Sequence, residues 1–391
     1  MSNSPIFMLS LMAGLEMLSS VLKCSYSTLT RKSSLRSTLK IFLTRFPSVV
    51  LVLPESSHPP VVGVQTIKRT RGMPPLSSYP PGYIRNVGIG IRESFPTTMP
   101  SESYIEFELG RSLNNIANTG LDDWVVPESS PFGGNPTEDS RVSATAYLYR
   151  MLDIMAGIAR TLGKTDDANL FASQAAGVKT AFNNAFWAND HYAGVGDNSY
   201  RQTHNLLALA FNVITSPSNA QAVADSVAAD VNSRGGHLNT GALGTKHILP
   251  MLTAHGHSDV AAGLIKQTTY PSLGFWIQNG ATTCWEHWAV EARSHDHFFL
   301  GTYDDRSYQS VLGIQTTSTA YKTVSVAPAF TAAIPSASGW VMTPYGKLSV
   351  SYNIKGQSLS MQIVVPVGVS TLTVSGDKVQ VGSGSYSFVA Q

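Results

Sequence analysis

Residues 142–162 read VSATAYLYRMLDIMAGIARTL, and the apolar positions in this stretch recur with the period of a helix. Ala146, Leu148, Met151, Leu152, Met155, Ile158 and Leu162 lie mostly three or four residues apart. Such spacing gathers them on one face, which must be buried against something else. Gly163 suits the end of this helix. Thr165 reads as the cap of a second one, whose first turn favours the acids Asp166 and Asp167 because the N-terminal peptide dipoles are positive there. That helix runs to about Trp187. Read outward in the same way, the chain shows further helices over 203–214, 218–232, 243–255, 259–267 and 297–313. Ser218 reads as a cap and Gly235–Gly236 as a stop. Short Gly/Ser/Thr links join them, so residues 112–316 read as successive antiparallel helix pairs, the pattern of an α/α toroid or bundle.

After Thr317 the period changes to two. Leu348, Val350, Tyr352 and Ile354 alternate with polar residues, Lys355-Gly356-Gln357 turns the chain, and Leu359, Met361, Ile363 and Val365 alternate again. Leu372/Val374, Val379/Val381 and Tyr386/Phe388 continue the series. Residues 317–391 therefore read as a small antiparallel β-sandwich. The fold class is mainly α with a C-terminal all-β domain.

Residues 1–111 have a different character. A basic, Ser/Thr-rich run from Lys23 to Arg45 contains no acid, and Pro74, Pro75, Pro80 and Pro81 crowd the stretch 73–83. Neither period is sustained. This part reads as an unrelated extension, either disordered or a non-natural coding stretch. The apolar patch Ile6–Leu15 invites a signal-peptide reading, but it lacks a basic flank and Glu16 interrupts it. Localisation stays open.

The bulk properties exclude several functions. Charged residues make up 13% of the 391, with a formal net charge of +2. That is no electrostatic footprint for nucleic acid. No apolar run has the roughly 18 residues of a membrane span. The two cysteines, Cys24 and Cys284, have no partners at metal-ligand spacing and read as free thiols. No dinucleotide fingerprint, P-loop, HExxH or nucleophile elbow occurs. No cofactor and no resident metal are expected.

The chemistry concentrates in residues 268–288, TTYPSLGFWIQNGATTCWEHW, which hold three of the six tryptophans and one carboxylate, Glu286. Pyranose C–H faces stack on aromatic rings, and glycosidic hydrolysis runs on carboxylates. Rings on either side keep water from Glu286, and His287 stands next to it as a hydrogen-bond or charge partner. The alternative is a helix-start glutamate among core aromatics. Asp122-Asp123-Trp124 is a second acid–aromatic cluster. A carboxylate accepts two O–H bonds from vicinal sugar hydroxyls, but a capping role fits the same residues. His295 and His297, in SHDHFFLG, suit sugar-hydroxyl contact better than a metal, and a satisfied core histidine remains open.

These motifs carry a resemblance. Residues 236–288, beginning GHLNTGALGT, continuing through TTYPSLGF and ending GATTCWEHW, resemble the α-L-rhamnosidase family of inverting glycoside hydrolases. GLDDWVVPES, residues 120–129, looks like that family's G-L-G-D-W loop, with Asp122 in place of a glycine. HFFLGTYDDRSY, residues 297–308, departs from the family pattern at Asp296 and Arg306, where it has asparagine and tryptophan. The resemblance covers residues 112–391 and implies an (α/α)6 barrel, here incomplete with about seven of twelve helices, followed by a β-sandwich. It implies that Glu286 is the general base. It implies substrate contacts for His297 and Trp124 and a supporting or contacting role for Asp123, and it leaves Trp276 as a further candidate for the substrate site. It implies terminal α-L-rhamnose on small molecules or oligosaccharides as the substrate. The family's general acid lies on an upstream segment with no counterpart in residues 1–111, and Glu102, Glu106, Glu108 and Glu138 stand in no recognisable acid site. The expectation is a rhamnosidase-like hydrolase, truncated and weakly active or inactive. The alternative is a non-catalytic rhamnoside-binding protein.

Overall fold

The computed structural model describes residues 49–52, 63–66, 100–197, 199–369, 371–374 and 379–390. The Ile6–Leu15 patch, the basic run, the proline cluster and Cys24 lie outside them. Within the first 99 residues the description is limited to an antiparallel pair, β1 (Val49–Val52) with β2 (Gly63–Thr66).

The helical unit begins with α1 (Pro100–Arg111), before the residue-112 boundary read from the sequence. Ile105 of α1 is wholly buried in the same core as α2 (Arg141–Thr161) and α3 (Thr165–Phe186). The helix read at 142–162 is therefore α2. Its apolar stripe, Ala146, Leu148, Met151, Leu152 and Met155, is buried against Phe171, Val178 and Phe182 of α3. Lys164, not Thr165, holds the cap position of α3, and no side chain caps it; Asp166 and Asp167 do occupy its first turn. A two-stranded ribbon, β3 (Trp187–Ala188) with β4 (His191–Tyr192), follows and was not read from the sequence.

Next come α4 (Gln202–Ala210), α5 (Pro217–Ser233), α6 (Thr245–Ala254) and α7 (Ser258–Lys266). The cap of α5 is Ser216, whose hydroxyl accepts from the Asn219 N–H at 3.1 Å, rather than Ser218. Pro217 explains the shift, because a proline at the first helical position needs no N–H partner. A short α8 (Leu273–Gln278), capped by Ser272, was also unforeseen. The helix expected over 297–313 is replaced by turns and one π-helical turn, Ser307–Val311. Arg306, at the point of departure from the family pattern, is buried there and donates to Thr253 Oγ1 and Ser258 O, each at 3.2 Å. It fastens this irregular segment to the end of α6 and the start of α7.

The β domain has two four-stranded sheets. One runs β12 (Gly384–Ala390), β9 (Ser358–Val365), β8 (Gly346–Lys355), β7 (Ser336–Thr343) and is fully antiparallel. The other runs β11 (Val379–Val381), β10 (Thr371–Val374), β6 (Thr323–Val326), β5 (Ile314–Thr316), and here β6 and β10 pair in parallel. Leu348, Val350, Tyr352, Met361, Ile363 and Val365 point inward and share one core with Ile314, Val324 and Val326 of the opposite sheet. That is the face alternation predicts. Among the described residues no helix is long and apolar enough to cross a membrane.

Candidate active site

The segment around Glu286 folds back on itself. The Glu286 N–H donates to Ser294 O at 2.9 Å, and the His297 N–H donates to Cys284 O at 2.8 Å. These two cross-links bring Arg293 and His297 back beside Glu286. The carboxylate is buried and accepts from the guanidinium of Arg293 through both oxygens: Nη2 to Oε1, and Nε to Oε2 at 3.3 Å. The two partners differ in exposure. The Glu286 side chain retains 7% of its surface and the Arg293 side chain 57%. Glu286 thus sits under a lid made by one exposed side chain.

His287 is not the partner of Glu286. Its Nδ1 accepts from the Ala289 N–H at 2.9 Å, so Nε2 carries the proton and donates to Val126 O at 3.1 Å. Burial pushes the imidazole below the usual histidine range. His287 is therefore a neutral staple between the Glu286 segment and the Trp124 loop. Tyr270 adds a second staple, donating to Pro127 O at 2.6 Å. Its phenol is pushed up to about 12, chiefly by burial and then by the negative charges of Glu128 and Glu291.

The tryptophans do not form an open sugar platform. Trp276, Trp285 and Trp288 are all buried, and Trp276 stacks on Trp288 with ring centroids 4.9 Å apart. Trp276 Nε1 donates to Trp288 O at 3.0 Å, and Trp288 Nε1 donates to Thr240 O at 2.8 Å. Trp276, expected at the substrate, is in the core, stacked on Trp288, tilted against Trp285 and with its N–H already used. Trp285 stacks on the His295 ring at 4.4 Å. Trp124 differs from these three in being only partly buried. Its indole rests on Gly133, where an added Cβ would come 2.3 Å from Cζ2.

Asp123 lies wholly inside. It accepts from the Thr203 hydroxyl, from the Gly241 and Leu243 N–H groups at 2.7 Å, and from Gly244 N at 3.2 Å. Burial raises this carboxyl, and the Thr203 and backbone donors pull against it. The side chain expected to support or contact substrate thus holds the TGALGT loop in shape. The close approach also explains a glycine: a Cβ on Gly241 would stand 2.2 Å from Trp124 O, whose partner is the Ala242 N–H at 2.8 Å. Asp122, in the family's glycine position, pairs with His204 at 3.3 Å, each side chain 1% exposed. Burial pushes Asp122 up, but the bond and charge of His204 outweigh it and leave the carboxyl below the usual range.

His297 is half-buried, and its Nδ1 is enclosed without a hydrogen-bond partner. Burial lowers its basicity, the Glu286 charge raises it and Arg293 lowers it again. These couplings tie Glu286, Arg293 and His297 into one cluster. Arg293 was missed in the sequence, though it is the only Lys or Arg between Lys266 and Arg306. Arg201 was missed as well. It is buried, donates to both oxygens of Glu138 at 2.8 and 2.9 Å and to Asn239 O at 2.8 Å, and reaches the Trp124 loop at Glu128 Oε2, 3.4 Å away.

Comparison with known proteins agrees with this layout. The family model described as the bacterial α-L-rhamnosidase six-hairpin glycosidase domain matches residues 95–311, and that of the bacterial α-L-rhamnosidase C-terminal domain matches residues 313–386. An α-L-rhamnosidase of Formosa agariphila is 32% identical over 297 residues, covering 73% of this chain and 31% of its own length. One of Alteromonas sp. is 28% identical over 294 residues, covering 72% and 31%. Among solved structures, the Streptomyces avermitilis α-L-rhamnosidase, complexed with L-rhamnose, superposes with a TM-score of 0.65 at 26% identity over 74% of this chain and 30% of that one. The α-L-rhamnosidase from Dictyoglumus thermophilum gives 0.67 at 26%, over 74% and 36%. The chain spans about a third of the length of the curated relatives it matches. With both its helical unit and its β domain matched in order, the chain belongs to the α-L-rhamnosidase family.

Proposed function

We propose that this chain carries the water-activating part of an α-L-rhamnoside hydrolase site, with Glu286 as the general base. His297 and Trp124 meet the sugar, Asp123 shapes the loop beneath them, and Trp276 backs the site from the core. The ligands are terminal α-L-rhamnose units on small molecules or oligosaccharides. One observation carries the reading: Glu286, within the W-E-x-W motif, is drawn out of solvent beside a histidine whose enclosed Nδ1 has no protein partner. In a single displacement Glu286 takes a proton from water as the water attacks C1 opposite the aglycone, inverting the anomeric centre. The departing oxygen takes its proton from an acid about 6.5–9.5 Å from the base.

No described residue is assigned that second role. Both Glu138 oxygens are engaged by Arg201, and Glu108 is engaged by Arg111 at 2.7 Å. Weak or absent turnover is therefore the expected outcome. Rhamnoside binding without hydrolysis is the second reading, favoured by the engagement of Glu138 and Glu108 in ion pairs of their own.

Aryl α-L-rhamnoside hydrolysis, run beside calorimetry with L-rhamnose, tests both. The expected result is saturable binding weakened by Trp124→Ala, with turnover about 10²–10⁴-fold below that of the Formosa agariphila relative. Absence of binding at millimolar sugar removes both readings. Turnover equal to the relative's, and lost in Glu286→Gln, keeps the base and overturns the weak-turnover expectation.

A further inference from the structure

We propose that Arg293 is a latch on the Glu286 carboxylate, closed in the empty site and displaced when the sugar enters. The inference rests on the reading of Glu286 as the base. A general base needs a carboxylate oxygen free to take a proton from water. Here both oxygens already accept from one guanidinium, so neither is free to meet the water.

The geometry makes the closed state reversible. Glu286 is fixed by the backbone cross-link to Ser294 and by the buried tryptophans on either side in sequence. Arg293 is more than half exposed, and among the described residues its side chain donates to Glu286 alone. The immobile member is thus the carboxylate and the movable member is the arginine. Paired with the carboxylate, the guanidinium also keeps a positive charge within range of His297, opposing the pull of Glu286 on that ring. Swinging it outward frees Glu286 and strengthens its hold on a proton at His297 in the same motion. Two acids, Glu291 and Asp296, stand on the same folded-back segment as Arg293, while Glu128 of the Trp124 loop is already paired with Arg201 and Arg234. Glu291 and Asp296 are both exposed, so the open arginine has counter-charges on its own segment to move toward.

Arg293 is a positioning residue in this scheme, because it acts through Glu286. The test compares wild type, Arg293→Ala and Arg293→Lys in calorimetric titrations with L-rhamnose. A latch competes with the ligand, so Arg293→Ala binds L-rhamnose roughly two- to fivefold more tightly, the scale of one exposed ion pair, and Arg293→Lys falls between the two. In parallel, the Arg293 Nε–Hε resonance, assigned by its loss in Arg293→Ala, shifts on saturation of the wild type with L-rhamnose. If wild type binds while Arg293→Ala binds equally or less well, Arg293 is a support or a ligand contact and the latch is wrong. If neither protein binds, the reading of the site as a rhamnose site fails, and the latch with it.

Discussion

Asp123 and Glu286 look alike in the sequence: each is an acid beside tryptophan, in Asp123-Trp124 and in Trp285-Glu286-His287-Trp288. Their surroundings in the fold differ in kind. Asp123 meets three backbone N–H groups and a buried threonine hydroxyl, all held by the architecture. Glu286 meets one exposed arginine that a rotamer change removes. A carboxylate satisfied by fixed donors serves the fold. One satisfied by a removable donor is available to a ligand, because releasing it strands no buried backbone group.

That contrast can be broken most directly at Asp123. Asp123→Ala orphans several buried donors at once and should cost about 4 kcal/mol or more, read as a large fall in the urea midpoint. A loss below about 1 kcal/mol would show that the TGALGT loop holds its shape without the carboxylate, and the two acids would no longer differ.

Acid titration sharpens the comparison. The folded-state carboxyl of Asp122 lies below its ordinary value near 3.9, so its contribution is fully present above that value and is lost as pH falls through the folded one. Asp123 has the opposite sign: burial raises its carboxyl, so its share of stability is full below the unfolded value and is lost as pH rises through the folded one. Asp122→Asn should therefore be less stable than wild type at neutral pH, with a shallower loss below about pH 4, so that the two melting curves converge in acid. Parallel curves at all pH values would contradict a native Asp122–His204 pair.

The smallest expected effect on stability is at Glu286. Glu286→Gln removes one half-exposed ion pair and should shift stability by less than about 1 kcal/mol, leaving a cooperative melt. A loss as large as that of Asp123→Ala would make Glu286 another structural acid.

Where local periodicity rules, the sequence was readable. The stripe from Ala146 to Met155 and the alternation from Leu348 to Val365 each state which face is buried, since a helix or strand repeats every 3.6 or 2 residues whatever packs against it. Reading failed where several local solutions compete. Ser216 and Ser218 flank Pro217, and both are capping residue types. Residues 297–313 have helix-like apolar spacing, yet Arg306 is anchored to Thr253 and Ser258 and turns replace the helix.

By itself, the sequence determined the order of a helical unit and a β domain, and through TTCWEHW and its flanking motifs it singled out Glu286. Only the tertiary structure decided which aromatic and acidic groups are spent on the fold. Trp276 and Asp123 went to the interior, while Glu286 came to rest under Arg293. The physical reason is that burial and hydrogen-bond satisfaction belong to the partners a residue meets, and those partners come from distant segments: Thr203 and Gly241 for Asp123, and Val126 for His287.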